Sequence, residues 1–242
     1  MGLRKFSTRG PFSALFVALL IFLPLAILVE ESKIGETILT VGFTGILLAG
    51  LYVAQLSRPM LLVAIGLFTL NLVMRWLDVA SFVNWHSSPT LRGSLSAAYF
   101  VYLVVVLARI LVFQRVVNVE TVVGGINVYL LMGFTFAQIH WIIESVAPGS
   151  YDLGGLFVAG HDASGEMPPF GAFLYYSFVT MTTLGYGDVS PVTPAAQLVS
   201  VAEAVTGQLY VAILIGGLVG MWISERMHEL ELEELKKDRS LD

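Results

Sequence analysis

The sequence predicts an all-α membrane protein: six transmembrane helices, plus a short re-entrant helix that leads into a Gly-rich extended strand. Three observations carry that prediction. The chain has 242 residues, 56% of them hydrophobic, and a mean hydropathy of +0.80, too apolar for a water-soluble domain. Its apolar residues fall into six runs, each close to the roughly 20 residues that cross a bilayer as a helix. Between the last two runs lies a further apolar segment of about 14 residues, too short to span, which ends in Thr182-Thr183-Leu184-Gly185-Tyr186-Gly187-Asp188.

In order, the predicted spans are 12–29, 34–56, 60–83, 95–112, 126–146 and 195–223, with the half-helix at 170–183. Arg4, Lys5 and Arg9 precede the first run, as in a signal peptide. No small-residue cleavage site follows and the run is as long as a span, so it reads as a retained helix kinked at Pro24. The absence of cysteine excludes disulfides and thiolate metal sites. The net charge of −5 comes mostly from loops and tail and carries no nucleic-acid signal. Basic residues mark the amino terminus and the links at Arg58 and Arg115, whereas Glu30, Glu31, Asp152, Asp162 and Glu166 outnumber Lys33 and Arg92 in the alternate loops. The positive-inside rule then puts both termini in the cytoplasm and 147–169 outside the cell, and the lack of large cytoplasmic appendages suggests a compact bacterial or archaeal plasma-membrane protein surrounded by lipid. Beyond residue 223 the chain turns charged. Leu230, Leu232 and Leu235 make no sustained heptad, which predicts a helical tail with marginal coiled-coil character. About 19 residues are too few for a regulatory ligand-binding domain, so gating of that kind would call for a separate subunit.

The heptapeptide has its own chemistry. Each glycine disfavours helix by roughly 1 kcal/mol. Extended backbone at membrane depth is tolerated only inside protein or along a water-filled path. Successive carbonyls along such a path are hard oxygen ligands for a dehydrated cation, and glycines permit the positive φ angles that aligning them requires. A half-helix ending near residues 180–182 adds a partial negative charge below the strand, favouring a cation there.

These residues resemble the pore module of potassium channels over about 100 residues, 126–223: Tyr175-Tyr176 on the half-helix, Thr183 to Gly187, then Asp188, Pro191 and Gly207. The resemblance implies that K+, as permeant ion and with no cofactor, is bound by the carbonyls of Thr183, Leu184, Gly185 and Tyr186 and the Thr183 hydroxyl. It casts Thr182, Gly187, Asp188 and Tyr176 as filter support, with Tyr186 pointing away from the pore and bracing on Tyr176. Gly207 takes the place of the inner-helix hinge, and Gln208 that of a cavity-lining residue. One chain supplies one filter strand, so a ring of carbonyls implies a homotetramer. The implied organisation is a cytoplasmic amino terminus (1–11), a four-helix sensor-like domain without gating charges (12–117), a pore domain (118–223) and a cytoplasmic tail (224–242). Two departures stand out. Leu184 replaces the more usual valine, adding bulk behind the strand, and Val179 stands where some relatives carry a glutamate behind the filter.

The remaining polar residues modify this reading. Glu203, inside the last span, is expensive in lipid and faces the back of the half-helix, where Ser177 or Thr180 would bond it. It is either a satisfied structural carboxyl or part of gating. Gly216, Gly217 and Gly220 read as close helix-packing positions. The fourth span holds Arg109, with Arg115 beyond it, and no arginine repeat, so steep voltage dependence is not expected. Arg75 and Asp78, joined by Glu36, read as a local ion pair. His140 and Glu144, four residues apart, suit either a metal or a hydrogen-bonded pair. His161, Asp162 and Glu166 suit a solvated external loop or a divalent or proton site. No nucleophile–base set indicates an enzyme. The sequence thus predicts a passive potassium-selective channel, weakly or not voltage-gated. A non-selective cation channel and a non-conducting regulatory protein that retains the pore fold are the alternatives.

Overall fold

Prolines set most helix starts, because the missing N–H costs nothing in a first turn. The structure, a computed structural model, describes residues 11–28, 33–54, 58–80, 89–112, 119–154 and 168–238. Helices α1 (Pro11–Leu28), α4 (Pro89–Val112) and α7 (Pro194–Asp238) begin on proline, and α3 (Arg58–Ala80) has one at its second position. α2 spans Lys33–Ala54, α5 Val119–Val146, and the short α6 Phe170–Met181, which follows Pro169. Two-residue strands β1 (Tyr151–Asp152) and β2 (Ser190–Pro191) pair antiparallel, Tyr151 opposite Pro191 and Asp152 opposite Ser190. They tie the segment after α5 to the segment after the Gly-rich strand.

Two helix starts differ from the hydropathy reading. α4 starts at Pro89 rather than 95 and α5 at Val119 rather than 126, because helical hydrogen bonding outlasts apolar composition. The polar first turns of α4 find partners: Ser94 donates to the Thr90 carbonyl within the helix (2.8 Å), and the Thr90 hydroxyl meets that of Ser145 on α5 at 2.9 Å. α7 runs without a break from the membrane segment to Asp238, absorbing the charged tail. Among the described residues three helices are long and apolar enough to cross a membrane, Thr90–Val112, Glu120–Val146 and Pro194–Leu214. The apolar stretches Phe12–Leu28, Thr37–Val53 and Met60–Trp76 are shorter.

The core is a relay of aromatic rings between the leading helices and α6. Phe43 (α2) meets Phe100 (α4) at 5.4 Å and Phe22 (α1) at 5.9 Å between centroids. Both Phe22 and Phe100 meet Phe134 (α5) at 5.8 Å, and Phe134 meets Phe178 (α6) at 6.0 Å. Such edge and tilted contacts each add about 0.5–1.5 kcal/mol beyond area burial. Gly133 lets this happen: a Cβ there would lie 2.7 Å from Phe178 Cζ. Polar ties fix the register of α1 on α5. The Asn127 amide donates to the Phe12 carbonyl (2.7 Å) and Ser13 donates to Glu120 (2.6 Å).

Arg75 is described against Phe43 and Ser96, its guanidinium carbon 3.5 Å from the Phe43 ring centroid and Nη2 3.4 Å from the Ser96 hydroxyl. The side chains of Asp78 and Glu36 lie outside the described residues, as do His161, Asp162, Glu166 and Arg115.

Candidate functional site

The Gly-rich strand hangs from the carboxyl end of α6. That helix ends at Met181, with Thr182 as its cap, two residues before the predicted end. Past the cap the chain stops climbing but keeps returning its N–H groups to the helix. Thr183 N–H donates to the Thr180 carbonyl (3.0 Å), and those of Leu184 and Gly185 both donate to the Val179 carbonyl (3.0 and 3.4 Å). In a trans peptide the N–H of one residue and the C=O of the residue before it point in opposite directions. The carbonyls of Thr182, Thr183 and Leu184 therefore point away from α6. Among the described residues no donor reaches the carbonyls of residues 183–186.

Backbone angles keep that pattern. Thr183, Gly185 and Gly187 have φ of 60°, 58° and 79°, every second residue in the left-handed region. Two are glycines, which adopt it freely. Thr183 is β-branched, and holding it there costs of the order of 1–3 kcal/mol, the kind of strain found at functional sites. Residues 182–187 are all exposed in the single chain, Leu184 at 54% and Tyr186 at 66%. Leu184 lines one wall of an apolar cavity of about 150 Å³, which Leu23 and Ile27 of α1 share with Tyr175, Phe178, Val179 and Thr182.

The exit of the strand is anchored at Asp188. Tyr175 donates its hydroxyl to Asp188 Oδ2 at 2.6 Å, and Oδ1 accepts from the Val189 N–H at 3.0 Å. Tyr176, expected to support the strand, is placed differently from Tyr175 within the single chain. Consecutive residues of α6 point about 100° apart, so only one of the aromatic pair faces the strand, and that one is Tyr175. Tyr176 turns the other way. Its hydroxyl bonds to Ser200 (2.7 Å), and its ring lies against His140 (5.0 Å) and Tyr151 (5.6 Å).

On α7 the three singled-out residues separate. Gly207 is buried against the end of α6, where a Cβ would fall 2.9 Å from Met181 Cγ and 3.0 Å from the Met181 carbonyl oxygen. Gln208 is exposed beside it. Glu203 is fully buried behind α6. The packing expected at Gly216, Gly217 and Gly220 is not made within the chain, since a Cβ at each would meet nothing within 4 Å. Leu198, Val201, Val205, Leu209 and Ile213 leave a long apolar face of α7 exposed.

Behind the strand a buried polar chain joins four elements. Tyr151 Oη lies 2.5 Å from His140 Nδ1, and His140 Nε2 lies 2.8 Å from Glu203 Oε2. Glu203 Oε1 is in short contact with Ser177 Oγ, which is also 2.7 Å from the Gly133 carbonyl oxygen. The predicted pairing of His140 with Glu144 is not formed. Glu144 instead accepts the N–H groups of Gly149 (2.7 Å) and Tyr151 (3.2 Å), capping the loop after α5. Both His140 ring nitrogens are occupied, which leaves none for a metal. Burial pushes the Tyr151 hydroxyl well above its ordinary pKa, so it stays protonated and available as a donor. Sequence reasoning missed Tyr151, which sits in a Gly-Ser-Tyr-Asp turn whose composition signals only a loop.

Apolar helices, a half-helix that cannot span, and a strand with outward-turned carbonyls define a channel-type membrane protein. Comparison with known proteins is consistent with that class. Residues 102–224, just over half of the chain, match the family described as "Ion channel". The chain is 33% identical over 113 residues to the Two pore potassium channel c of Oryza sativa subsp. japonica, covering 47% of this chain and 21% of that one. It is 41% identical over 49 residues to a Voltage-gated potassium channel of Aeropyrum pernix (20% and 17%) and 36% over 63 residues to Two-pore potassium channel 5 of Arabidopsis thaliana (26% and 15%). The protein belongs to this family of ion channels. It spans about a fifth or less of the length of these curated relatives.

Proposed function

We propose that this chain is one subunit of a homotetrameric, potassium-selective channel. Ions would cross the pore passively, bound by the carbonyls of Thr183, Leu184, Gly185 and Tyr186 and by the Thr183 hydroxyl. The observation that carries the reading is the direction of the peptide planes: the N–H groups of Thr183, Leu184 and Gly185 are spent on α6, and the carbonyls of Thr182, Thr183 and Leu184 face the opposite way. Carbonyls held like this replace a cation's hydration shell without a formal charge. Thr182, Gly187 and Asp188 support the strand, with Tyr175 as the clamp on Asp188. Four copies close the ring of oxygens, and the exposed apolar face of α7 offers surface for neighbours and lipid.

In this reading α1 to α4 form the 12–117 domain and α5 to the membrane part of α7 the 118–223 pore domain, six spans in all. Both termini lie in the cytoplasm of a plasma-membrane protein, with Gln208 toward the cavity. The described part of α4 has Arg92 near its start and Arg109 in its last turn, and no repeat between them. Gating charge of that size supports weak voltage dependence or none.

The test is flux in liposomes under a potassium gradient. The expected result is barium-sensitive K+ flux with little Na+ flux, and loss of that discrimination in Gly185→Ala and Tyr186→Ala. Equal K+ and Na+ flux in the unaltered protein would favour a non-selective pore. No flux at any voltage would favour a non-conducting role.

A further inference from the structure

Behind the filter, hydrogen-bond bookkeeping assigns a proton. The chain Tyr151–His140–Glu203–Ser177–Gly133 has four contacts, each of which needs one hydrogen. It ends at the Gly133 carbonyl oxygen, which can only accept. Ser177 therefore gives its single hydroxyl hydrogen to Gly133, at 2.7 Å. The same hydrogen cannot also serve Glu203, so the short contact between Ser177 Oγ and Glu203 Oε1 needs a hydrogen from the carboxyl. An ionised Glu203 would set two acceptor oxygens face to face, in a site with no exposure to solvent, where unsatisfied polar contacts are expensive. The rest then follows in order. Glu203 Oε2 accepts from His140 Nε2–H, and His140 Nδ1 accepts from the Tyr151 hydroxyl. Every donor is used once and no net charge is buried. Among the described residues the other titratable groups around Glu203 are Tyr129 and Glu144 on α5 and Tyr176 on α6, and none is seen to supply a hydrogen to this chain.

We propose that Glu203 carries a proton at Oε1 and acts through it as a positioning residue for the filter. The directed chain clamps α6 between α5 and α7, with one end on the external loop at Tyr151. The filter's N–H groups hang on the Thr180 and Val179 carbonyls, one turn or less from Ser177, so a clamp at Ser177 holds the row of carbonyls in place. This rests on the channel reading above for its consequence, but the proton itself does not.

Two measurements test it on the full-length protein. In purified, reconstituted protein the infrared carbonyl stretch of a protonated carboxylic acid should be present and should vanish in Glu203→Gln. In single-channel records Glu203→Ala should shorten conducting bursts at least about fivefold, the low end of what an unsatisfied buried partner costs. Glu203→Gln should restore them to within about twofold, because its amide offers one donor to Ser177 and one acceptor to His140. The absence of an acid band sensitive to Glu203→Gln would overturn the proposal. So would equal burst lengths in the Ala and Gln variants, since an ionised Glu203 predicts no rescue by a neutral amide. If the unaltered protein carries no current, the channel reading fails, while the infrared band still decides where the proton is.

Discussion

Gly207→Ala separates two roles for the glycine at the middle of α7. The added methyl would sit 2.9 Å from Met181 Cγ, 3.0 Å from the Met181 carbonyl oxygen and 3.3 Å from its Cα. The Met181 side chain can swing aside. Its carbonyl cannot, because it belongs to the last turn of the helix that carries the filter. Overpacking of this kind costs about 1–3 kcal/mol, while alanine gains about 1 kcal/mol over glycine in a helix interior. The control is Gly66→Ala on α3, where a Cβ meets nothing within 4 Å and only the helix gain remains. The two variants should therefore differ by about 1–3 kcal/mol in resistance to unfolding in mixed SDS micelles, with Gly207→Ala the weaker. Its conducting bursts should shorten too, since the displaced backbone lies one residue before Thr182. Gly207→Ala gaining as much stability as Gly66→Ala would refute close packing against Met181. Unchanged stability with fewer openings would instead favour a flexing hinge.

Tyr175→Phe removes the hydroxyl that Asp188 Oδ2 accepts at 2.6 Å. A hydrogen bond to a charged group contributes about 1.5–3 kcal/mol, and this partly exposed one lies at the low end, so the conducting state should shorten roughly tenfold or less in patch recordings with K+ binding otherwise retained. Unaltered burst kinetics would remove Tyr175 from filter support. Gly171→Ala would drive a methyl into the Ala26 backbone carbonyl where α1 crosses the start of α6. Two backbones cannot move apart as a side chain can, so an overpacking cost of about 1–3 kcal/mol is expected, read as faster hydrogen exchange in α6. Exchange equal to that of the unaltered protein would show that α1 yields instead.

The Gly-rich strand after α6 was legible because its signal is local: seven consecutive residues whose types admit few other uses at membrane depth. The half-helix was legible for the same reason, its length being wrong for a span. Most helix starts were written in prolines. What could not be read is what long-range contact decides. His140 and Glu203 stand 63 positions apart, and Ser177 and Glu203 stand 26 apart. Helical spacing offered Glu144 as the partner of His140, but the turn at Gly149 to Tyr151 claims that carboxylate with two backbone N–H groups. The choice between Tyr175 and Tyr176 depended on the rotation of α6, which composition does not encode when both neighbours are tyrosine. The starts of α4 and α5 escaped because Thr90, Arg92 and Glu120 lower hydropathy without ending a helix.

These contacts suggest where a gating stimulus acts. α6 is held at three levels: Gly171 against the α1 backbone at its start, Ser177 and Phe178 against Gly133 of α5 at its middle, and Met181 against Gly207 of α7 at its end. No level is redundant, because each faces a different helix. The filter takes its hydrogen bonds from the last turn of the same helix. A rigid helix of 12 residues transmits rotation from one end to the other. In the channel reading proposed above, movement of α1 would therefore be felt at the carbonyls of residues 182–184. Within the chain α1 meets α6 by packing at Ala26 and through the Phe22–Phe134–Phe178 relay.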